Sequence, residues 1–109
     1  MKSYNVLLAE KASIDLKQIA AYIARQLMEP DLAVNQIRRI HKAVLNLAEL
    51  PYRNPLVQDE LLAMQGFRFI MVDQYIVFYV VNEETLDVTV VRILYGKRNW
   101  QHLLYTIMD

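Results

Sequence analysis

Five side chains in the C-terminal half carry most of the chemistry this sequence could perform: Arg68, Lys97, Arg98, His102 and Tyr105. Cutting RNA without a metal needs a group that takes or orients the 2′-hydroxyl proton. It also needs a cation for the charge developing on the phosphate and a donor to the leaving 5′-oxygen. A guanidinium suits the phosphate because its planar fork grips two oxygens. Arg68, Lys97 and Arg98 are the candidate cations, and His102 or Tyr105 the candidate proton carrier. A histidine titrates near neutrality unaided, whereas a tyrosine needs help. Each residue also has a plainer reading. Arg68 could lie along a half-buried strand and pair with Asp59 or Glu60. Lys97 and Arg98 could form a solvated turn, His102 and His41 could be helix or tail surface, and Tyr105 with Trp100 could pack the tail onto a sheet. Arg92 sits among apolar strand residues, which favours a structural ion pair, and it is left out of the site.

Other chemistries are excluded by composition. With Cys 0 there is no thiolate metal site, iron–sulfur cluster, disulfide or thiol nucleophile. Neither a G-x-x-x-x-G-K-[ST] loop nor a G-x-G-x-x-G turn is present, so no nucleotide cofactor is expected. His41, His102 and the scattered carboxylates show no ligand spacing, so no metal is expected either. Lys+Arg 12 balances Asp+Glu 12, and no net field draws the chain to nucleic acid or membrane.

The elements that must position these residues follow from periodicity. The 109 residues suit one domain, 1–109. Tyr4–Leu8 alternates as a strand. Leu16, Ile19, Ala20, Ile23, Ala24 and Leu27 form a helical stripe with Ser13 as N-cap and Asp15 in the first turn. Pro30 predicts that this helix ends near Met28 and that a second one begins. The second carries Ala33, Ile37, Ile40, Val44, Leu47 and Ala48 inward and stops at Pro51. Residues 51–66 read as irregular. Three strands follow, Phe67–Val72, Tyr75–Asn82 and Leu86–Tyr95, joined at hairpin length by Asp73-Gln74 and Glu83-Glu84-Thr85. Alternation puts Arg68, Ile70 and Val72 on one face and Phe67, Phe69 and Met71 on the other. It groups Arg92 with Val88, Val90 and Leu94. Asn99–Met108 reads as a short helix or an extended arm. The order β-α-α-β-β-β is α+β, a helix hairpin packed on an antiparallel sheet with the other face partly open. Hydrophobic residues reach 55%, above the usual ~45–50%, and that excess predicts an apolar partner surface. The longest apolar run, Tyr75–Val81, is too short for a bilayer, and the start lacks a leader pattern, so a cytoplasmic location is expected.

Taken in this order, several strings resemble the RelE/ParE toxins of bacterial toxin–antitoxin modules. Ala12-Ser13-Ile14-Asp15-Leu16 through Ile19-Ala20-Ala21-Tyr22-Ile23-Ala24 resembles the first helix of the ParE branch, and Leu50-Pro51-Tyr52-Arg53-Asn54-Pro55 its post-helix loop. Gly66-Phe67-Arg68 and Tyr75-Ile76-Val77-Phe78-Tyr79 resemble the family's Gly-x-Arg strand and central strand. Val91-Arg92-Ile93-Leu94-Tyr95-Gly96-Lys97-Arg98-Asn99-Trp100 resembles its last strand and basic turn. The likeness runs from Tyr4 to Leu104. It implies a toxin silenced by a cognate antitoxin whose C-terminal segment wraps it, with a heterotetramer as one assembly. It implies DNA gyrase as target for a ParE-type member, or the ribosome and its mRNA for a RelE-type endonuclease.

Two departures separate the chain from the nuclease type. Residues 56–65 hold Asp59 and Glu60 but no Lys, where RelE-type nucleases are lysine-rich. Leu104 occupies the register of their late tyrosine, with Tyr105 one residue beyond. Three functions stay open: a gyrase-binding toxin, a ribosome-dependent mRNA endonuclease, and a non-toxic relative that only binds antitoxin and represses its operon.

Overall fold

In the computed structural model, which describes residues 3–107, strand β1 covers Asn5–Leu8 and helix α1 follows at once over Glu10–Ala21. The helix starts ahead of the expected Ser13 boundary. Ala9 is the N-cap, without a side-chain cap, and the Ser13 N–H already donates to the Ala9 carbonyl. Glu10 supplies the first-turn negative charge that a helix N-terminus favours. A π-helical turn over Tyr22–Gln26 extends α1, and Met28, at φ 53°, reverses the chain near the expected point. Helix α2 covers Pro30–Asn46, with the proline in its first turn, where a missing N–H costs nothing. Ala33, Ile40 and Val44 are buried on it, while Arg38, Arg39 and Lys42 are exposed.

The stretch expected to be irregular holds two ordered pieces. Pro51–Arg53 forms a 3₁₀ turn. Glu60–Met64 forms a helix, α3, capped by the Asp59 carboxylate, which accepts from the Leu62 N–H at 3.1 Å. Gly66 closes α3 at φ +89°, a left-handed conformation that suits a residue without Cβ. A five-residue helix spans barely one turn, too short for any periodic signal.

Strands β2 (Arg68–Val72), β3 (Tyr75–Asn82) and β4 (Asp87–Tyr95) form the expected antiparallel meander. β1 adds to it beside β4, giving the order β1-β4-β3-β2, and pairs in parallel. The sheet is therefore mixed at that edge rather than antiparallel throughout. Between these two parallel neighbours the chain runs through the helix hairpin, α3, β2 and β3, which supplies the long connection a parallel pair requires. A register shift between Phe78 and Tyr79 lets β4 carry one extra residue, Val91. Beyond this bulge the facing inverts, so Val88 and Val90 pack toward the helices but Leu94 packs on the other side. The expected grouping of Leu94 with Val88 and Val90 fails for that reason.

Two cores result. The first lies between the sheet and the helix hairpin and holds Ile23, Ile40, Val77, Tyr79, Val88 and Ile93. The second covers much of the face expected to be open. There α3 and the final helix α4 (Trp100–Tyr105) bring Leu62 and Leu104 onto Phe67, Ile76, Phe78 and Leu94. The Trp100 and Phe78 ring centroids are 5.1 Å apart. The tail is thus a short helix, and Met108 lies outside the described residues. Part of the apolar excess goes into this second core. The rest is exposed, notably at Leu27, Met28, Leu32, Leu61, Met64 and Met71. Among the described residues no helix is long and apolar enough to cross a membrane.

Candidate functional site

Arg68 opens β2 opposite Tyr79. Its guanidinium donates to the carbonyls of Asn54 (2.6 Å) and Tyr52 (3.2 Å) and lies 5.0 Å from the centre of the Tyr52 ring. Arg68 therefore fastens the loop after α2, while the Tyr79 hydroxyl donates to the Pro51 carbonyl of the same loop. The alternative partner Asp59 is occupied elsewhere. The Tyr52 hydroxyl donates to Glu83 at 2.8 Å, and Tyr4 donates to the same carboxylate at 2.9 Å. The hydrogen bond to Glu83, with burial and the carboxylate charge adding, pushes the Tyr52 phenol up to about 12. A phenolate beside a carboxylate is disfavoured, so Tyr52 serves as a donor and not as a base.

Lys97 and Arg98 are exposed in the turn after β4. That turn is pinned through Gly96, whose N–H donates to the Gln74 carbonyl at 2.9 Å. A Cβ there would stand 3.3 Å from the same oxygen, so a larger residue would push the Gln74 carbonyl aside by a few tenths of an ångström. Arg98 borders a cleft of about 480 Å³ between α1 and the β2–β3 turn, lined also by Gln18, Tyr22, Gln74, Tyr75 and Tyr95. The Tyr75 and Tyr95 rings meet edge to face at 6.0 Å. Burial, with Tyr22 and Tyr95 adding, raises the Tyr75 phenol above its ordinary value, which keeps it neutral.

His102 is exposed on α4, and its backbone N–H faces the Asn99 side chain that caps the helix. Tyr105 donates to both Asp59 oxygens at 2.7 Å, joining α4 to the start of α3. This bond, and then the Leu62 N–H, lowers the Asp59 carboxyl below its ordinary value. Such a lowered group stabilises the fold above the usual carboxylate range, and that contribution fades as pH falls through the lowered value. In Tyr105→Phe the Asp59 carboxyl is expected to rise toward its ordinary value, read by carboxyl NMR titration. An unmoved titration would mean that the Tyr105 contact does not form.

The five residues do not converge. Arg68 lies opposite Tyr79 and Arg98 beside Tyr75, four positions apart along β3, roughly 13 Å at ~3.3 Å per residue. Arg68 also reaches into the helix-hairpin side, where the Tyr52 ring meets Tyr4 of the first core, whereas Tyr105 packs with the second core. Among the described residues no cluster of three His, Asp or Glu could hold a metal.

Arg92 makes the structural pair expected of it. Its Nε and Nη2 donate to the two Asp15 oxygens at 2.8 and 2.9 Å, and the Ile93 N–H adds a third bond at 2.9 Å. Sequence reasoning assigned Asp15 only to a helix first turn and missed this partner. It also missed the tyrosine cleft. No sequence signal marked it: the two-residue turn after Val72 pairs that residue with Tyr75, and Tyr75 faces Tyr95 only because the bulge at Val91 shifts the β3–β4 register by one.

A four-stranded mixed sheet backed by a helix hairpin defines the class of RelE/ParE-like toxins. Within that class, residues 6–100 match the ParE toxin of type II toxin–antitoxin system, parDE, and the chain belongs to this family. Among solved structures, the chromosomal ParDE system of P. aeruginosa is similar with a TM-score of 0.72 at 18% identity, covering 87% of this chain and 98% of that one. The toxin–antitoxin complex RelBE2 of Mycobacterium tuberculosis gives 0.61 at 20% identity, covering 87% and 93%. A free mutant of the E. coli toxin RelE gives 0.67 at 14% identity, covering 97% of each chain. At such identities the likeness carries the fold alone. No curated protein matches the chain.

Proposed function

We propose that the chain is a growth-inhibiting toxin that acts by binding, with DNA gyrase as its target, and that a cognate antitoxin neutralises it in the cytoplasm. The dispersal of the nuclease-type residues carries this reading: Arg68 is spent on two loop carbonyls, Tyr105 on Asp59, and the two work on opposite sides of the sheet. The ParE match over residues 6–100 supports the gyrase side. The similar RelBE2 structure is a toxin–antitoxin complex, which supports an antitoxin partner here, and the exposed Leu27, Met28 and Leu32 offer it apolar surface. A heterotetramer of two toxins and two antitoxins belongs to the same reading.

The test is tightly controlled induction in a bacterial host, with pulse-labelling of DNA and protein synthesis over the first minutes. DNA synthesis is expected to stall first, and the purified protein to inhibit supercoiling by gyrase while leaving ribosome-bound mRNA intact. Protein synthesis collapsing first, with cut mRNA, would replace this reading by the endonuclease and make Lys97 and Arg98 the residues to change. Harmless induction would leave the antitoxin-binding, operon-repressing role.

A further inference from the structure

The cleft between the end of α1 and the β2–β3 turn shares only Leu27 with the surface offered to the antitoxin above, and it is built like a ligand site. Its volume of about 480 Å³ lies within the range of small-molecule pockets. Three phenol rings, Tyr22, Tyr75 and Tyr95, line it, with Tyr22 more than half exposed at 54%. Gln18 and Gln74 contribute amides, each a donor and an acceptor in one plane. The lining holds two charged groups. Asp15 is neutralised by Arg92 and the Ile93 N–H, whereas Arg98 makes no ion pair among the described residues. Ile19, Leu27 and Ile93 complete the lining, so the cleft presents aliphatic and aromatic surface, two glutamines and one guanidinium without an ion-pair partner among the described residues.

This is the chemistry that recognises a nucleotide: rings stack on a base, amides meet its edge, and a guanidinium grips a phosphate. We propose that the cleft binds a nucleoside monophosphate, its base among Tyr22, Tyr75 and Tyr95 and its phosphate on Arg98. A single free cation in the lining, on a chain of net charge +0, matches one phosphate. A polynucleotide strand needs a track of cations along its backbone, and a triphosphate needs a cradle of N–H groups. The ligand is exchangeable, held by side chains alone.

The test is an NMR titration of the purified chain with each of the four ribonucleoside 5′-monophosphates, with inorganic phosphate and a uridine hexanucleotide as separate arms. At least one monophosphate is expected to give saturable shifts at Gln18, Tyr22, Gln74 and Tyr95. Tyr22→Ala and Arg98→Gln, both at exposed positions, should each weaken it about fivefold or more, with otherwise unchanged spectra. Inorganic phosphate should bind more weakly still. No saturable binding by any monophosphate overturns the proposal, as do shifts confined to α4 or variants that bind like the parent. A hexanucleotide that binds more tightly than UMP through the same residues also overturns the monophosphate assignment, in favour of a strand. The measurement uses the toxin alone, so its failure would leave the gyrase reading standing, and the reverse.

Discussion

Asp15→Asn is expected to cost about 3–5 kcal/mol of folding stability, the effect of leaving one member of a buried ion pair uncompensated. The carboxylate satisfies three donors on β4: Arg92 Nε, Arg92 Nη2 and the Ile93 N–H. Asp15 and Arg92 are 4% and 9% exposed, so water replaces little of what the carboxylate gives. The arginine cannot escape by losing its proton. A guanidinium stays charged in proteins, and hydrogen bonding to Asp15 raises this one further. An asparagine there keeps the approximate shape but brings no charge, and its amide hydrogens face the arginine's donors. For a domain of this size the loss lowers the midpoint of thermal unfolding by roughly 12 °C or more. Chemical and thermal denaturation check it, and a loss below ~1 kcal/mol would mean that the pair does not form. The double variant Asp15→Leu with Arg92→Met is expected to recover only part of the stability, because no buried charge remains but the Ile93 N–H loses its acceptor. This pair is also what ties α1 to the end of β4, so it sets the mouth of the tyrosine cleft.

Leu104→Ala is expected to cost about 2–5 kcal/mol, the range for truncating a fully buried leucine. Leu104 is 0% exposed and lies in the second core with Leu62, Phe67, Phe78 and Leu94. It anchors α4 to the sheet, and α4 in turn presents Tyr105 to Asp59. Leu61→Ala, on the exposed side of α3 at 58%, should change stability by no more than ~0.5 kcal/mol. Denaturant unfolding of the two variants side by side separates burial from helix propensity. If Leu104→Ala were as mild as Leu61→Ala, the last helix would not be docked. The same position bears on function. A late tyrosine at this register would be buried where Leu104 is, so the departure from the nuclease pattern is built into the core and not left on the surface.

The two long helices, their proline boundary, and the three-strand meander with its turn lengths were legible from the sequence. Each is a local property: a 3.6 or 2.0 period repeats within one segment, and a proline or a two-residue turn acts on its immediate neighbours. Arg92 among apolar residues was likewise enough to predict an ion pair, because a buried guanidinium must have one. Its partner was not legible, since Asp15 is 77 residues away and chosen only when α1 lies across β4. The parallel seat of β1, the bulge that inverts Leu94, and the short helix α3 all escaped for related reasons. Strand order depends on how the crossover folds back, a bulge is a mismatch between two strands, and one helical turn has no period. The same applies to function. Residue types marked Arg68 and Tyr105 as able to do chemistry, but the tertiary structure decided what holds them. Arg68 is captured by carbonyls 14 and 16 residues back, and Tyr105 by a carboxylate 46 residues away, because unpaired donors near a closing core take the acceptors that packing brings within reach.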